Sequence, residues 1–258
     1  MVSALDLFSL KGKNIIITGG TSGIGRNVAD YLASAGANIA IVSTKTENSD
    51  KVAQTIAATY QVKTVGIGCD VSDANAVEEM VKTVSKKIGT ADVLFNNAGI
   101  NLWGGALDLK YEEWKRVFDV NVNGVFLAAR AFAQQLVAEQ KPGSVINMAS
   151  ISASIVNLPQ MQTAYNTSKA AVLHLTKTLA VEWVQHGIRV NAVSPGYVWT
   201  EMNQVIPQEI RDYWVNATPY KRFAKPDEIA GAVIYFASDA SSYTTGSELI
   251  IDGGFTCI

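Results

Sequence analysis

The 258-residue sequence predicts an α/β domain built on a doubly wound, parallel sheet. Three observations lead there. Apolar, β-rich runs alternate with longer amphipathic stretches from one end of the chain to the other. Several of those runs are continuously apolar, as in strands covered on both faces. No linker, charge block, repeat or low-complexity tract divides the chain, so a single domain over 1–258 is expected.

In chain order, strands are expected at Asn14–Thr18, Asn38–Ser43, Thr64–Cys69, Val93–Asn96, Ser144–Ala149, Ile188–Val193 and Glu248–Ile251. Helical periodicity lies between them, near 23–35, 49–59, 73–88, 112–138, 164–186 and 226–238. Strand, helix and strand in succession imply right-handed crossovers. One long stretch, about 194–225, has no clear period and carries Pro195, Pro207 and Pro219 among Trp199, Tyr213 and Trp214. Irregular segments of that length in compact domains are usually functional, and a substrate lid is expected.

Composition narrows the function. Apolar residues at 48% and charged residues at 17% describe a packed globular protein rather than a disordered one. A net charge of -2 leaves no basic footprint for nucleic acid or an anionic membrane surface. The two cysteines, Cys69 and Cys257, have neither metal-site nor disulfide spacing, so no metal is expected and a reducing compartment suits the chain. The start Met1–Asp6 lacks the pattern of a secretory signal, and no run reaches the ~18 apolar residues of a membrane span. A cytoplasmic protein acting on a small molecule is the expectation.

Two motifs carry chemistry. The first strand runs into Thr18-Gly19-Gly20-Thr21-Ser22-Gly23-Ile24-Gly25, and a helix pattern follows. Glycines permit a tight turn and close backbone approach to a pyrophosphate, while the helix start supplies N–H donors. Second, Tyr165 and Lys169 stand four apart on a predicted helix and so share a face. A free phenol titrates near pKa ~10. An ammonium about 4 Å away contributes roughly 4 kcal/mol at moderate dielectric, enough to bring the phenol into a range useful for proton transfer. A competing pair, Tyr111 and Lys115, has no serine behind a strand and reads as solvated surface. His174 and His186 have no nucleophile or ligand partner in the pattern.

With these residues in place, the sequence resembles the short-chain dehydrogenase/reductase family. The glycine turn matches that family's T-G-x-x-x-G-x-G, and further matches follow in the family's order. They are Asp70-Val71, Asn96-Asn97-Ala98-Gly99, Asn121 with Asn123 as its nearby competitor, Ser150, Tyr165 through Lys169, Pro195-Gly196 and Asp252-Gly253-Gly254. The resemblance covers about residues 10 to 254. It implies a single-domain Rossmann-type fold of about seven parallel strands flanked by helices on both faces, and a homo-oligomer, usually a tetramer.

It also implies roles. Tyr165 would be the general acid/base, and Lys169 would lower its pKa and hold the nicotinamide ribose. Ser150 would stabilise the substrate oxygen, and Asn121 would serve the proton relay. Ser152 competes with Ser150, because it lies at the family's usual thirteen-residue spacing before Tyr165, whereas Ser150 stands in the right place after the strand. Cofactor contacts fall on Gly19, Thr21, Ser22, Gly23, Ile24 and Gly25, then on Ser43, Thr44 and Lys45, and on Asp70 and Val71. They continue through Asn97, Ala98 and Gly99 to Tyr165, Lys169, Pro195, Gly196, Val198 and Thr200.

The second strand ends without the acid that NAD-preferring sites use to bond the ribose diol. Ser43, Thr44 and Lys45 stand there instead, so NADP(H) is the expected cofactor and NAD(H) the alternative. Glu47 lies too far along to replace the acid. The opening Leu5–Lys13, the loop Ile155–Gln160, Ser194–Tyr197 and the ending Asp252–Cys257 look like ketose and polyol members of the family. Ser150, Ser152, Asn157, Tyr165 and Tyr197 are the expected substrate contacts, with Gln160 and Asn203 as further hydroxyl partners. A 3-ketoacyl or general carbonyl reductase is the alternative enzyme, and a nucleotide-binding regulator or a methyltransferase would be the non-reductase readings.

Overall fold

Continuous apolar runs become strands that bury side chains on both faces. A computed structural model describes residues 5–201, 203 and 206–258. The first four residues of the Met1–Asp6 start, and Met202, Gln204 and Val205 of the 194–225 stretch, lie outside the described residues. Seven parallel strands form one sheet: β1 (Asn14–Thr18), β2 (Asn38–Ser43), β3 (Thr64–Gly68), β4 (Val93–Asn96), β5 (Gly143–Met148), β6 (Ile188–Pro195) and β7 (Glu248–Ile251). Their order is β3-β2-β1-β4-β5-β6-β7, the doubly wound Rossmann-type arrangement expected from the sequence.

Successive residues of a strand point to opposite faces, and β1 shows what that does. Ile15 and Ile17 enter one core with Val28, Leu32, Phe95, Val233 and Phe236. Ile16, between them, enters the other with Met80, Val84, Leu94, Phe132 and Leu136. All three isoleucines are fully buried, and each contributes roughly 1.5–3 kcal/mol by leaving water. Helices α1 (Gly23–Ser34) and α2 (Thr46–Tyr60) cover the first face together with α8 (Asp227–Ala237). Helices α3 (Ala74–Ile88), α5 (Gly124–Ala138) and α6 (Thr163–Trp183) cover the second.

Local chemistry sets the helix ends. Asp73 caps α3 by accepting from the backbone N–H groups of Asn75 and Ala76 at 2.8 and 3.1 Å. Lys86 and Lys87 complement the negative end of that helix, and Gly89 stops it.

Three expectations need correction. The helix expected over 112–138 is two helices, α4 (Tyr111–Phe118) and α5, joined by a π-helical turn over Asp119–Asn123. Its apolar period runs through the junction, so periodicity alone cannot register the wider turn. Helix α2 starts at Thr46 rather than 49, since its first turn is polar and gives no apolar signal. The 194–225 stretch is not uniformly irregular, because it contains α7 (Gln208–Ala217). Only Trp214 of that helix is buried, so the apolar stripe that would announce it is missing.

Beneath the C-terminal ends of the strands lies a buried polar ladder. Asn96 of β4 donates to Asn147 Oδ1 of β5 at 3.0 Å, and Asn147 donates to Thr176 of α6 at 3.0 Å. Asn96 also donates to the Val125 carbonyl of α5 at 3.2 Å. Buried amides are costly without partners, and these partners lock α5 and α6 to the central strands. Among the described residues no helix is long and apolar enough to cross a membrane.

Candidate active site

Strand order reverses between β1 and β4, which opens a crevice at their carboxyl ends. The glycine turn forms one wall. Asn97, just after β4, donates through Nδ2 to the carbonyls of Thr18 and Gly19 at 3.1 and 3.0 Å. The backbone N–H groups of Asn97 and Ala98 both donate to Thr18 Oγ1 at 3.1 Å. The Asn97 side chain therefore holds the turn in shape. Gly19 adopts a φ of 63°, and a Cβ on Gly25 would stand 2.3 Å from Asn97 Nδ2 and 2.4 Å from the Gly19 carbonyl oxygen. No side chain fits there.

Helix α1 opens at Gly23, and the preceding Ser22 makes no side-chain cap, so its first N–H groups stay open toward the crevice. A cleft of about 370 Å³ lies over this turn, between Thr21, Ser22 and Gly23 on one side and Trp199, Thr200 and Glu201 on the other. A backbone cradle at a helix start, with no room for a Cβ at Gly25, fits a dinucleotide pyrophosphate. Ile24 packs against the core behind it. Arg26 is ion-paired with Asp30 one turn along α1.

At the far end of the crevice, Ser43 donates to the Lys45 carbonyl at 3.1 Å and meets Ser49 Oγ at 2.8 Å. Thr44 and Lys45 are exposed beside it, and Glu47 sits in the first turn of α2. Asp70 closes a local turn by accepting from the Ser72 amide and hydroxyl at 3.0 and 2.7 Å, and Val71 is buried beside Gly124. Pro195 ends β6, and the Gly196 N–H donates to the Ile251 carbonyl at 2.9 Å. Val198 is buried, while Thr200 donates to Asn203 Oδ1 at 2.7 Å. Asn203 is thus tied into its own turn.

The reactive-looking groups meet at the ends of β4 and β5. Ser150 Oγ hydrogen-bonds the Tyr165 hydroxyl and accepts from the Ser152 N–H at 3.1 Å. Of the two competing serines, Ser150 is the one in contact with Tyr165; Ser152 donates to Asn157 Oδ1 at 2.6 Å. Lys169 is buried, donates to the Met148 carbonyl at 2.7 Å, and stands 5.5 Å from the centre of the Tyr165 ring.

The electrostatics differ from the expectation. Burial pushes the Tyr165 phenol above its ordinary value, and the Ser150 hydrogen bond opposes that rise. Burial alone lowers the Lys169 ammonium to about 8. The low-polarity surroundings penalise both charged forms, and this outweighs the mutual attraction on which the expected drop rested. Lys169 spends its contact on a carbonyl rather than on the phenol.

Asn121 is fully buried in the π-helical turn. Its Oδ1 accepts from the Ile100 N–H at 2.8 Å, and its Nδ2 donates to the Ile100 carbonyl and to Ser168 Oγ at 2.9 and 3.0 Å. A Cβ on Gly99 would lie within 3.3 Å of Asn121 Oδ1 and 3.6 Å of Lys169 Nζ, so the three crowd one corner. Asn123 faces outward and bonds Asp119. Tyr111 and Lys115 lie on the exposed face of α4, where Lys115 pairs with Asp119 at 2.7 Å. His174 and His186 are exposed.

A polar network that the sequence shows only in part continues from Ser152. Gln162, at the start of α6, donates toward Ser152, Asn157 and Asn166 at 3.3, 3.2 and 2.8 Å and accepts from Asn101 at 2.7 Å. Asn157 and Gln160 both donate to the Tyr197 hydroxyl. Trp214 of α7 donates to Gln160 at 2.8 Å and stacks on Tyr197. Ser152, Asn157 and Tyr197 are among the sequence-predicted substrate residues; Gln162, Asn101 and Trp214 are not. The dense glutamines just before Tyr165 are the one available signal, and burial is what gives them meaning.

A doubly wound sheet with a phosphate-sized cradle at its switch point and a Ser–Tyr–Lys cluster beside it defines the class of nucleotide-dependent oxidoreductases that carry cofactor and chemistry on one sheet. Residues 19–256 match a family model described as enoyl-(acyl carrier protein) reductase. The chain belongs to the short-chain dehydrogenase/reductase family. It is 42% identical over 258 residues to the sorbose reductase of Candida albicans, covering 99% of this chain and 91% of that protein. It is 43% identical over 253 residues to the NADP-dependent mannitol dehydrogenase of Alternaria alternata, covering 97% of this chain and 94% of that one. A short-chain type dehydrogenase/reductase structure from Mycobacterium marinum superposes with a TM-score of 0.95 at 43% identity, covering 99% of this chain and all of that one.

Proposed function

We propose that this oxidoreductase exchanges hydride between NADP(H) and a sugar alcohol/ketose pair. The observation that carries the reading is the set of hydroxyls and amides joined to Ser150: buried Ser152, Asn157, Gln160 and Gln162, with half-buried Tyr197. A pocket for a plain ketone would be lined by apolar side chains. The network beside Ser150 and Tyr165 carries hydroxyls and amides suited to a polyhydroxy chain, in accord with the names of the sorbose and mannitol relatives.

The cofactor fits the residues present. The turn Gly19–Gly25 would hold its pyrophosphate, with Ser43, Thr44 and Lys45 at the 2′-phosphate and Asp70 and Val71 near the adenine. Asn97, Ala98 and Gly99, with Pro195, Gly196, Val198 and Thr200, would flank the nicotinamide half. When bound, it supplies or accepts hydride, and the protein's work is alignment and proton management. Tyr165 holds the proton destined for the substrate oxygen. Ser150 donates to the same oxygen as charge develops there. Lys169, anchored on the Met148 carbonyl, would bond the ribose, and Asn121 fixes the corner through which protons pass.

On this reading, replacement of Ser150 by Ala lowers kcat by about a hundredfold, the usual cost of losing one preorganised donor. Ser152→Ala acts through Asn157 instead, so its effect falls on KM. Steady-state kinetics of both variants separate the two serines. An equal kcat loss in both would overturn the assignment.

The chain is proposed to act as one domain, 1–258, with 194–225 as a lid carrying α7, in the cytoplasm and as a homotetramer. Exposed Leu249 and Ile250 on edge strand β7, with Phe126 and Val181 on the outer faces of α5 and α6, supply apolar surface for subunit contacts.

The test follows the absorbance of NADPH, and then of NADH, against ketoses, 3-ketoacyl thioesters and simple ketones. Fast NADPH oxidation with fructose or sorbose supports the reading. Activity confined to thioesters or apolar ketones would replace it with the acyl or general carbonyl reductase reading. Equal rates with NADH would remove the NADP preference.

A further inference from the structure

Trp214 joins the lid helix to the polar network, and its chemistry fixes the orientation of Gln160. An indole N–H can only donate, so the atom 2.8 Å away must be the Gln160 oxygen. That fixes the amide's orientation and turns Gln160 Nε2 toward the Tyr197 hydroxyl, 3.4 Å away. Asn157 is fixed in the same sense. Its Oδ1 accepts from Ser152 Oγ at 2.6 Å and from Gln162 Nε2 at 3.2 Å, so its Nδ2 donates to the Tyr197 hydroxyl at 3.1 Å. Two N–H donors therefore converge on one phenolic oxygen.

We propose that Trp214 is a positioning residue that, through Gln160, directs one of the two donors that leave Tyr197 only its O–H to offer, making it a dedicated donor to a substrate oxygen. This rests on the ketose/polyol reading and sharpens it, because it names the group that selects for a second oxygen beyond the reacting carbonyl. Three features support it. Trp214 is 3% exposed, and its ring stacks on Tyr197 at 4.5 Å and 13°, so Trp214 fixes the phenol's place as well as its bonding. The network is continuous from Tyr197 through Asn157 and Ser152 to Ser150, which touches Tyr165. Burial raises the Tyr197 phenol, so it keeps its proton through the neutral range. A site built to bond a substrate oxygen discriminates against an analogue lacking it, because the site's own group is left unpaired.

Trp214→Phe keeps an aromatic ring over Tyr197 and deletes the N–H. Gln160→Leu deletes the acceptor and gives the same answer should the first variant fold poorly. The readout is the ratio of kcat/KM for a ketose to that for a ketone without further hydroxyls, with NADPH affinity measured by fluorescence titration. The expected result is a fall of about tenfold in that ratio, carried by the ketose KM, in Trp214→Phe, Gln160→Leu and Tyr197→Phe alike. NADPH affinity stays within about twofold. Trp214→Phe combined with Tyr197→Phe falls no further than either alone, since both remove one device.

Effects that multiply to about a hundredfold, an unchanged ratio in Trp214→Phe and Gln160→Leu, or a parallel loss of NADPH affinity would each overturn the proposal. A wild-type enzyme that reduces no ketose would instead sink the substrate reading. The same double-variant cycle, run on whichever carbonyl compound it does reduce, then tests the coupling of Trp214 to Tyr197: additive effects on KM overturn it, and non-additive ones support it.

Discussion

Replacing Tyr165 with Phe is expected to lower kcat for carbonyl reduction by about a thousandfold while leaving NADPH affinity within about twofold. The substitution removes one oxygen and preserves the ring that lies beside Lys169. Tyr165 is the titratable group bonded to Ser150, which places its proton beside the substrate oxygen that Ser150 would hold. Saturating steady-state kinetics give the rate and fluorescence titration gives the affinity. Retention of more than a tenth of wild-type kcat would mean that the proton comes from elsewhere.

The same residues fix the sign of the pH dependence. Burial raises Tyr165, so the phenol is loaded with its proton at neutral pH, as reduction requires. Lys169, lowered to about 8, loses its charge as pH rises through that value. Reduction should therefore be flat below about pH 8 and fall above it. Oxidation of the alcohol needs the deprotonated phenol and should rise as pH climbs toward the phenol's own value, which burial holds above the ordinary ~10. Profiles of kcat/KM in both directions check this, and Tyr165→Phe should flatten the rise in oxidation while leaving the fall set by Lys169 in place.

What could be read from the sequence follows from what determines each feature. Strands such as Asn14–Thr18 and Val93–Asn96 declare themselves because a run buried on both faces has to be apolar throughout, which is a one-dimensional signal. The glycine turn is legible because Gly19 and Gly25 are required by backbone geometry. Tyr165, Lys169 and Ser150 are legible through order and spacing. The π-helical turn at Asn121 is not, since one extra residue in a turn leaves the apolar period nearly intact. Helix α7 is hidden for a related reason, as a single buried tryptophan makes no stripe. Gln162 and Trp214 join the site only because residues remote in sequence bury them, and the rise of the Tyr165 phenol likewise comes from its surroundings rather than from its neighbour four residues on.

Substitution of Gly25 by Ala is expected to abolish useful cofactor binding, raising the NADPH dissociation constant by at least about a hundredfold, and to cost about 1–3 kcal/mol of stability. Its Cβ would lie 2.4 Å from the Gly19 carbonyl oxygen, a backbone atom, and 2.3 Å from Asn97 Nδ2. Neither can yield cheaply. Moving Asn97 breaks its bonds to the Thr18 and Gly19 carbonyls, and moving Gly19 unwinds the turn whose N–H groups face the crevice. Gly105→Ala is the control: its Cβ would meet nothing nearer than Asp108 Oδ2 at 3.7 Å, so stability should stay within about 0.5 kcal/mol. Thermal melts with and without NADPH read both quantities. A Gly25→Ala protein that melts like wild type and is still stabilised by NADPH would show that the turn tolerates a methyl group, and the cradle would then have to lie elsewhere along the crevice.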